Sequence, residues 1–309
     1  KIKANSIFIV LNFAKATKVK ALVLESYMNL AYKDMPNPRF GDDDVLVRVK
    51  ACGICGSDVH GLDGSTGRRI PPLIMGHEAS GDIVEVGSKV VDWYIGDRVT
   101  FDSTIYKLDD WYSRRGLYNL SDGRKVLGVS SGDYRRNGAF AEFVAVPQHI
   151  LYRVPDEVSY DQAAMVEPAA VALHAIELTP MHMDDSAVVI GAGMIGLFII
   201  QMLRIKGSGR IIAVDSQKER LNLARELGAE KALFADDIDL CNKIKALCHD
   251  RGADVVFEAV GIEETVKNAI ASVRRGGTVA LIGNLSPTVE LPLQSIVTQQ
   301  IRLQGSCAI

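Results

Sequence analysis

Residues 188–196 read Val-Val-Ile-Gly-Ala-Gly-Met-Ile-Gly, followed by an apolar run from Leu197 to Leu203 and then Ile211-Ile212-Ala213-Val214-Asp215. Val188 to Ile190 form a short β-branched run suited to a buried parallel strand, and Gly191, Gly193 and Gly196 follow in G-x-G-x-x-G spacing. Each glycine has its own task in such a turn. The first permits the bend, the second lets a pyrophosphate approach the backbone, and the third brings the helix close to the sheet. The helix that follows offers free N–H groups and a positive dipole end to phosphates. Asp215 stands nineteen residues after Gly196. A carboxylate there accepts both ribose hydroxyls and repels the extra phosphate of NADP, so NAD is the expected dinucleotide. Glycine-rich turns also arise from packing alone, but here strand, turn, helix, second strand and terminal acid fall in register. The candidate cofactor contacts are Gly191, Gly193, Met194, Ile195, Gly196, Asp215 and Arg220.

Working outward, 309 residues favour two domains over one. An apolar fraction of 48% with 24% charged residues is ordinary for a globular chain, and a net charge of −3 argues against nucleic acid or an anionic membrane surface as partner. Five cysteines are too few and too scattered for a disulfide framework, so a reducing, cytoplasmic setting with thiolates free for metal is expected. Residues 1–18 loosely imitate a signal peptide, but Asn12 interrupts their apolar run, and they are expected to be an extra leader outside the fold of a fragment that lacks an initiator Met. No apolar stretch is long enough to span a bilayer as a helix.

Between the leader and residue 160 the grammar is short strands and turns, which predicts a β-rich, partly closed barrel over 19–160. Val45, Val47, Val49 and Ala51 alternate with polar or outward residues as in a half-buried strand, and 83–86, 97–101 and 139–146 read similarly. From 161 to 309 helices alternate with strands, predicting a doubly wound parallel sheet of the Rossmann type, and so an α/β fold overall. One helix is expected over 163–178 and another behind a capping box of Ser216 and Glu219. Strands are expected over 254–261 and 278–283, with Val266, Ile270 and Val273 on the helix between them, and 301–305 supplies a sixth strand. Cys241 and Cys248 read as buried packing.

In the β-rich half, Cys55, Ser57, Asp58 and His60 lie within six residues, and Gly76-His77-Glu78 follows. One thiolate, one imidazole and one carboxylate are the donors that hold a catalytic zinc while leaving a position open. Together with Gly-Asp-Arg-Val at 96–99, Val-Glu-Pro at 166–168 and the glycine fingerprint, these motifs resemble the zinc-dependent medium-chain alcohol and polyol dehydrogenases, from about Val19 to Ala308.

The resemblance implies a GroES-like catalytic domain. Within it Cys55 and His77 bind the zinc, and Glu167 or a water, at times Glu78, completes the shell. It also implies that Ser57 passes on the substrate hydroxyl proton, that His60 relays it towards solvent, and that Asp58 orients a zinc-bound imidazole. Cys52 imitates a C-x-x-C knuckle with Cys55 but is not a ligand in the family pattern. A homo-oligomer and a small-molecule alcohol or polyol as partner are implied in the same way.

The sequence departs from the pattern in places. Many members hold a structural zinc on four cysteines; the matching positions here are Lys107, Asp110, Ser113 and Ser121, so that metal is expected to be absent and the lobe to rest on packing around Trp111, Tyr112 and Tyr118. Members also continue beyond the strand matching 301–305 and return to the catalytic domain, whereas this sequence stops at Ile309, which is expected to expose apolar surface. The Arg-Tyr pair with which sorbitol dehydrogenases hold polyol hydroxyls is matched by Cys307-Ala308. Arg68 and Arg69 read either as a solvated loop pair or as readers of an anionic substrate such as a sugar phosphate.

The expected activity is zinc- and NAD-dependent oxidation of a secondary alcohol or polyol to a ketone by hydride transfer. L-threonine 3-dehydrogenase and butanediol-type chemistry use the same implied site. The alternative of another class is a non-catalytic NAD-binding relative.

Overall fold

The structure, a computed structural model, describes residues 18–65, 67–131 and 134–307. Residues 1–17 of the expected leader, and Ala308, lie outside the described residues, while Lys18 already belongs to a strand. Two compact units emerge. One runs up to Phe101 and resumes over Val126–Asp161; the other combines Asp102–Lys125 with the chain from Gln162 onward. Among the described residues no helix is long and apolar enough to cross a membrane.

The first unit contains β1 (Lys18–Ser26), β2 (Asn29–Pro36), β3 (Asp44–Gly53), the single-turn helix α1 (Gly56–Val59), β4 (Leu73–Ile74), β5 (Glu78–Val86) and β6 (Arg98–Phe101). After the excursion bounded by β7 (Thr104–Ile105) and β8 (Lys125–Val126) come β9 (Val129–Ser131), β10 (Tyr134–Arg136), β11 (Phe143–Pro147) and β12 (Leu151–Arg153), and the boundary with the second unit falls within α2 (Tyr160–Ala164). Five strands form an antiparallel sheet in the order β11-β3-β5-β6-β12, beside a three-stranded sheet β2-β1-β4. The alternation expected in β3 holds for Val45 and Val47, but Leu46 is buried too, so the first half of that strand is covered on both sides.

The strand expected over 139–146 begins only at Phe143. The residues before it bond instead to the chain leading into Gly76-His77-Glu78. Gly138 and Phe140 donate their amides to Ile74 and Met75 at 2.7 and 2.9 Å, and Ala139 donates to Gly76 at 2.8 Å. This brace holds the approach to His77.

In the second unit, α3 (Val166–Leu178) precedes β13 (Ala187–Ile190), α4 (Met194–Lys206), β14 (Ile211–Asp215), α5 (Lys218–Glu226), β15 (Lys231–Phe234), α6 (Leu240–Leu247), β16 (Ala253–Glu258), α7 (Glu263–Ser272), β17 (Val273–Leu281), α8 (Leu293–Thr298) and β18 (Arg302–Gly305). All six strands are parallel in the order β15-β14-β13-β16-β17-β18, the doubly wound arrangement. Alternate residues of the central strands feed two cores. Ala187, Val189, Ala213 and Phe257 pack with Ile176, Ile199, Leu203 and Ala224, while Val188, Ile190, Val214 and Val256 pack with Ile244, Val266 and Ile270.

Two local expectations are corrected. The helix expected over 163–178 breaks at Met165 into α2 and α3, because Pro168 has no N–H to donate to the Ala164 carbonyl and its ring crowds that group. The capping box of Ser216 and Glu219 does not form; Gln217 is the N-cap, and its amide goes to Asp215 Oδ1 at 2.9 Å. The strand's terminal acid has taken over the local cap.

Gly191 sits at φ +94°, a region that only glycine enters cheaply. A Cβ on Gly196 would lie 1.8 Å from the Gly191 carbonyl oxygen, so α4 packs on the strand end at a separation no side chain allows. Gly196→Ala is therefore expected to destabilise the second unit by roughly 1–3 kcal/mol or more. Calorimetric melting of the variant against the parent checks this.

Candidate active site

Glu78 opens β5 and pairs with Gly53, the last residue of β3. That register puts Cys55, two residues past the end of one strand, beside His77, one residue before the start of the next. The ligand atoms of Cys55, His77 and Glu78 lie within 4.8 Å of one another, the one such group of three among the described residues. His77 and Glu78 are buried, and Cys55 is half-buried. The backbone makes room for them: a Cβ on Gly53 would come within 2.3 Å of Glu78 Oε2. His77 Nδ1 and Glu78 Oε2 are buried without hydrogen-bond partners. The unpartnered Glu78 oxygen, grouped with the Cys55 thiol and the His77 imidazole, belongs to a donor set that a divalent ion of zinc type satisfies.

Electrostatics couple the three. Burial opposes a charged His77, but Asp58 and Cys55 outweigh it and raise its pKa well above the ordinary value. Burial also pushes the Glu78 carboxyl up. Asp58 is itself 2% exposed; burial pushes its carboxyl up, yet the neighbouring His77 and Arg69 overcome this and hold it below the usual range. Asp58 Oδ1 lies 3.6 Å from His77 Nδ1, beyond hydrogen-bonding distance but facing it, which leaves Nε2 as the nitrogen free to ligate. Asp58 Oδ2 accepts the Cys55 amide at 3.3 Å.

Ser57 and His60 flank this group on and after α1. Ser57 is half-buried and His60 exposed, with the His60 carbonyl accepting the Ser65 hydroxyl at 2.9 Å. Cys52 stays outside the ligand group. Burial, reinforced by the Asp58 and Glu78 carboxylates, pushes its thiol up to about 12. Arg69 is not the solvated loop residue that one reading of the Arg68-Arg69 pair expected: it is 3% exposed and turned inward onto Asp58 and Ser57.

In the second unit, Gly193 caps α4, and the space where its Cβ would stand is open for 4 Å. Met194 is exposed and Ile195 half-buried in the first turn. Asp215 is buried at the end of β14 and accepts the Ala192 amide at 2.8 Å, tying the second strand to the glycine turn; Arg220 stands 3.7 Å from it. Glu167 lies in the first turn of α3, buried, and accepts the Ser103 hydroxyl at 3.2 Å.

Sequence reasoning passed over Glu258, which ends β16 beside Ile190 and is fully buried. Its Oε1 accepts the amides of Val260 and Gly261 at 2.9 and 2.8 Å, and its Oε2 has no partner. An acid closing an apolar strand was the available signal.

The lobe over 104–125 is organised differently from the aromatic packing expected of it. Trp111 and Tyr118 are exposed, although Tyr106 stacks on Tyr118 at 4.8 Å and Arg115 lies 3.8 Å over Trp111. The centre is Asp110. Its carboxylate accepts the amides of Ser113 and Asp122, each at 2.7 Å, and the Ser121 hydroxyl, while Ser121 Oγ accepts the Lys107 amide at 3.0 Å. Those bonds, led by the Ser113 amide, lower its pKa to about 2. The four positions that match cysteines elsewhere are thus bonded to one another.

Comparison with known proteins gives concordant results. The zinc-binding dehydrogenase family matches residues 195–309, and the alcohol dehydrogenase GroES-like domain matches residues 41–156. Sorbitol dehydrogenase of Bacillus subtilis is 34% identical over 89% of this chain and 77% of its own length. D-arabitol-phosphate dehydrogenase of Enterococcus avium is 32% identical over 91% of this chain and 79% of its own. Among solved structures, the alcohol dehydrogenase TADH from Thermus sp. ATN1 superposes with a TM-score of 0.87 at 32% identity, covering 94% of this chain and 84% of that one.

Two measurements test this account of the second unit. Burial raises the Asp102 carboxyl from 3.8 to about 6 despite the Thr104 amide, so the native state favours its protonated form and loses stability as pH rises from about 4 to 6. Asp102→Asn is expected to exceed the parent in stability by about 3 kcal/mol above pH 6, an advantage that disappears below about pH 4 in pH-dependent denaturant melts. Asp110→Ala is expected to accelerate amide hydrogen exchange over 107–122 at neutral pH while leaving the sheet protected.

Proposed function

Because the chain belongs to the zinc-dependent medium-chain alcohol and polyol dehydrogenases, and is an oxidoreductase that acts on alcohols, we propose that it oxidises a secondary alcohol or polyol to the ketone, reversibly, with zinc and NAD. The observation that carries this reading is the close grouping of Cys55, His77 and Glu78, with the buried Glu78 Oε2 left unpartnered. Those three would hold the zinc and leave its fourth position to water or the alcohol. When bound, zinc lowers the cost of losing the alcohol proton and the dinucleotide accepts the hydride.

The chain's own residues do the rest. Ser57 takes the hydroxyl proton and His60, exposed at the end of α1, carries it to solvent. Asp58 faces Nδ1 of His77 and so fixes which nitrogen ligates. The open space at Gly193 and the first turn of α4 take the pyrophosphate, and the Asp215 carboxylate favours a ribose with free hydroxyls over the phosphorylated one.

Free polyols and diols fit this reading better than sugar phosphates, because the inward Arg69 is committed to Asp58 and Ser57. A cytoplasmic homo-oligomer is the accompanying setting; five free cysteines accord with a reducing compartment.

The expected result is one zinc per chain, loss of NAD reduction on chelation or in Cys55→Ala, turnover of free polyols or diols above their phosphates and threonine, and a preference for NAD that Asp215→Ala narrows. Metal analysis and a substrate screen measure these. NAD binding with neither zinc nor turnover would instead identify a non-catalytic relative.

A further inference from the structure

Among the described residues Arg69 is the most deeply buried cation beside the site, and the fold makes specific room for it. A Cβ on Gly61 would stand 2.3 Å from Arg69 Cγ and 3.0 Å from its Cβ, so the turn after α1 is glycine where the arginine stem passes. Both neighbours of Arg69 are tied to Ser130 of β9: the Arg68 carbonyl accepts the Ser130 amide at 3.0 Å, and the Ile70 amide donates to Ser130 Oγ at 2.6 Å. The guanidinium then makes three bonds. Nε and Nη2 donate to Asp58 Oδ1 at 3.3 and 3.2 Å, and Nη2 also donates to Ser57 Oγ at 2.9 Å.

We propose that Arg69 is a positioning residue of the alcohol site, fixing the hydrogen-bond polarity of the Ser57 hydroxyl and the orientation of the Asp58 carboxylate that steers His77. The inference rests on the reading in which Cys55 and His77 hold zinc and Ser57 passes the proton. A serine hydroxyl has one donor hydrogen and two lone pairs. With one lone pair occupied by Arg69, the second is left for the alcohol proton, and the hydroxyl hydrogen must point away from the guanidinium, along the outgoing path. The hydroxyl is thereby oriented for transfer in one sense before substrate arrives, and in ketone reduction the same polarisation makes it the better donor.

Arginine, and not lysine, suits the task. A planar fork reaches a carboxylate and a hydroxyl at once, whereas an ammonium on a flexible stem supplies a point charge to one of them. Asp58 needs this partner as well. Without it a buried carboxylate facing His77 is undercompensated and free to reorient.

The test uses the full chain loaded with zinc. Zinc release into a chromogenic chelator is followed beside steady-state oxidation of the best alcohol from the substrate screen. In Arg69→Ala, zinc release is expected to quicken and kcat to fall, each by roughly 10–100-fold, with the KM for NAD unchanged and kcat partly restored by millimolar guanidinium. Arg69→Lys keeps the charge on Asp58 but loses the bond to Ser57, so slow zinc release with a lowered kcat is expected. Gly61→Ala, which crowds the arginine without removing it, should reproduce the Arg69→Ala pattern if Arg69→Ala itself fails to fold. Variants that keep parental zinc release and kcat overturn the role of Arg69 alone. A parent chain with no zinc and no turnover overturns the underlying reading and this inference together.

Discussion

The site is organised around one buried anion. Asp58 receives the Arg69 guanidinium, faces His77 and accepts the Cys55 amide, and the side chains of Asp58, Arg69 and His77 are all buried. An isolated carboxylate in such surroundings costs several kcal/mol of desolvation, which is tolerated only where charge-assisted hydrogen bonds and neighbouring positive charge offset it. Each partner of Asp58 is therefore held as firmly as it holds. The candidate thiol ligand, the candidate imidazole ligand and the hydroxyl placed to pass a proton meet at that carboxylate, directly or through Arg69.

This arrangement is possible because the backbone is thin where the side chains are thick. Gly53 clears the Glu78 carboxylate, and Gly61 clears the Arg69 stem. The β3–β5 ladder sets the distance between the two turns that carry Cys55 and His77, and residues 138–140 brace the approach to His77 with three backbone bonds. Ligands built on sheet ends and held by neighbouring hydrogen bonds are positioned more tightly than ligands on free loops. That rigidity suits chemistry in which donor placement decides the rate.

The second unit repeats the theme with different parts. Asp215 joins the end of β14 to the glycine turn through the Ala192 amide and takes the Gln217 amide before α5, so it carries local structure whatever ligand the turn meets. In the 104–125 lobe, Asp110 gathers the positions that match metal-binding thiols elsewhere. A carboxylate with several amide and hydroxyl donors crosslinks the loop as a metal would, with weaker bonds and no dependence on metal supply.

The doubly wound sheet was legible from one chain because it is a matter of local grammar: Val188 to Asp215 carry strand, turn and helix in order, and burial on both faces demands their apolar residues. The pairing of Cys55 with His77 was legible through residue types and a family likeness, since the donor chemistry of zinc restricts which side chains serve. The break at Met165 is also a matter of local chain chemistry, since Pro168 lacks the N–H that would bond Ala164, even though periodicity alone runs through it. Tertiary structure decided the surroundings of Arg69. Arg69 looks like a surface charge in a polar loop, and only the fold, by closing Gly61 over it and presenting Asp58 and Ser57, turns it inward. The reason is general: periodicity reports how much of a segment is buried, whereas the partner of a buried charge comes from chain distant in sequence, and only folding determines it.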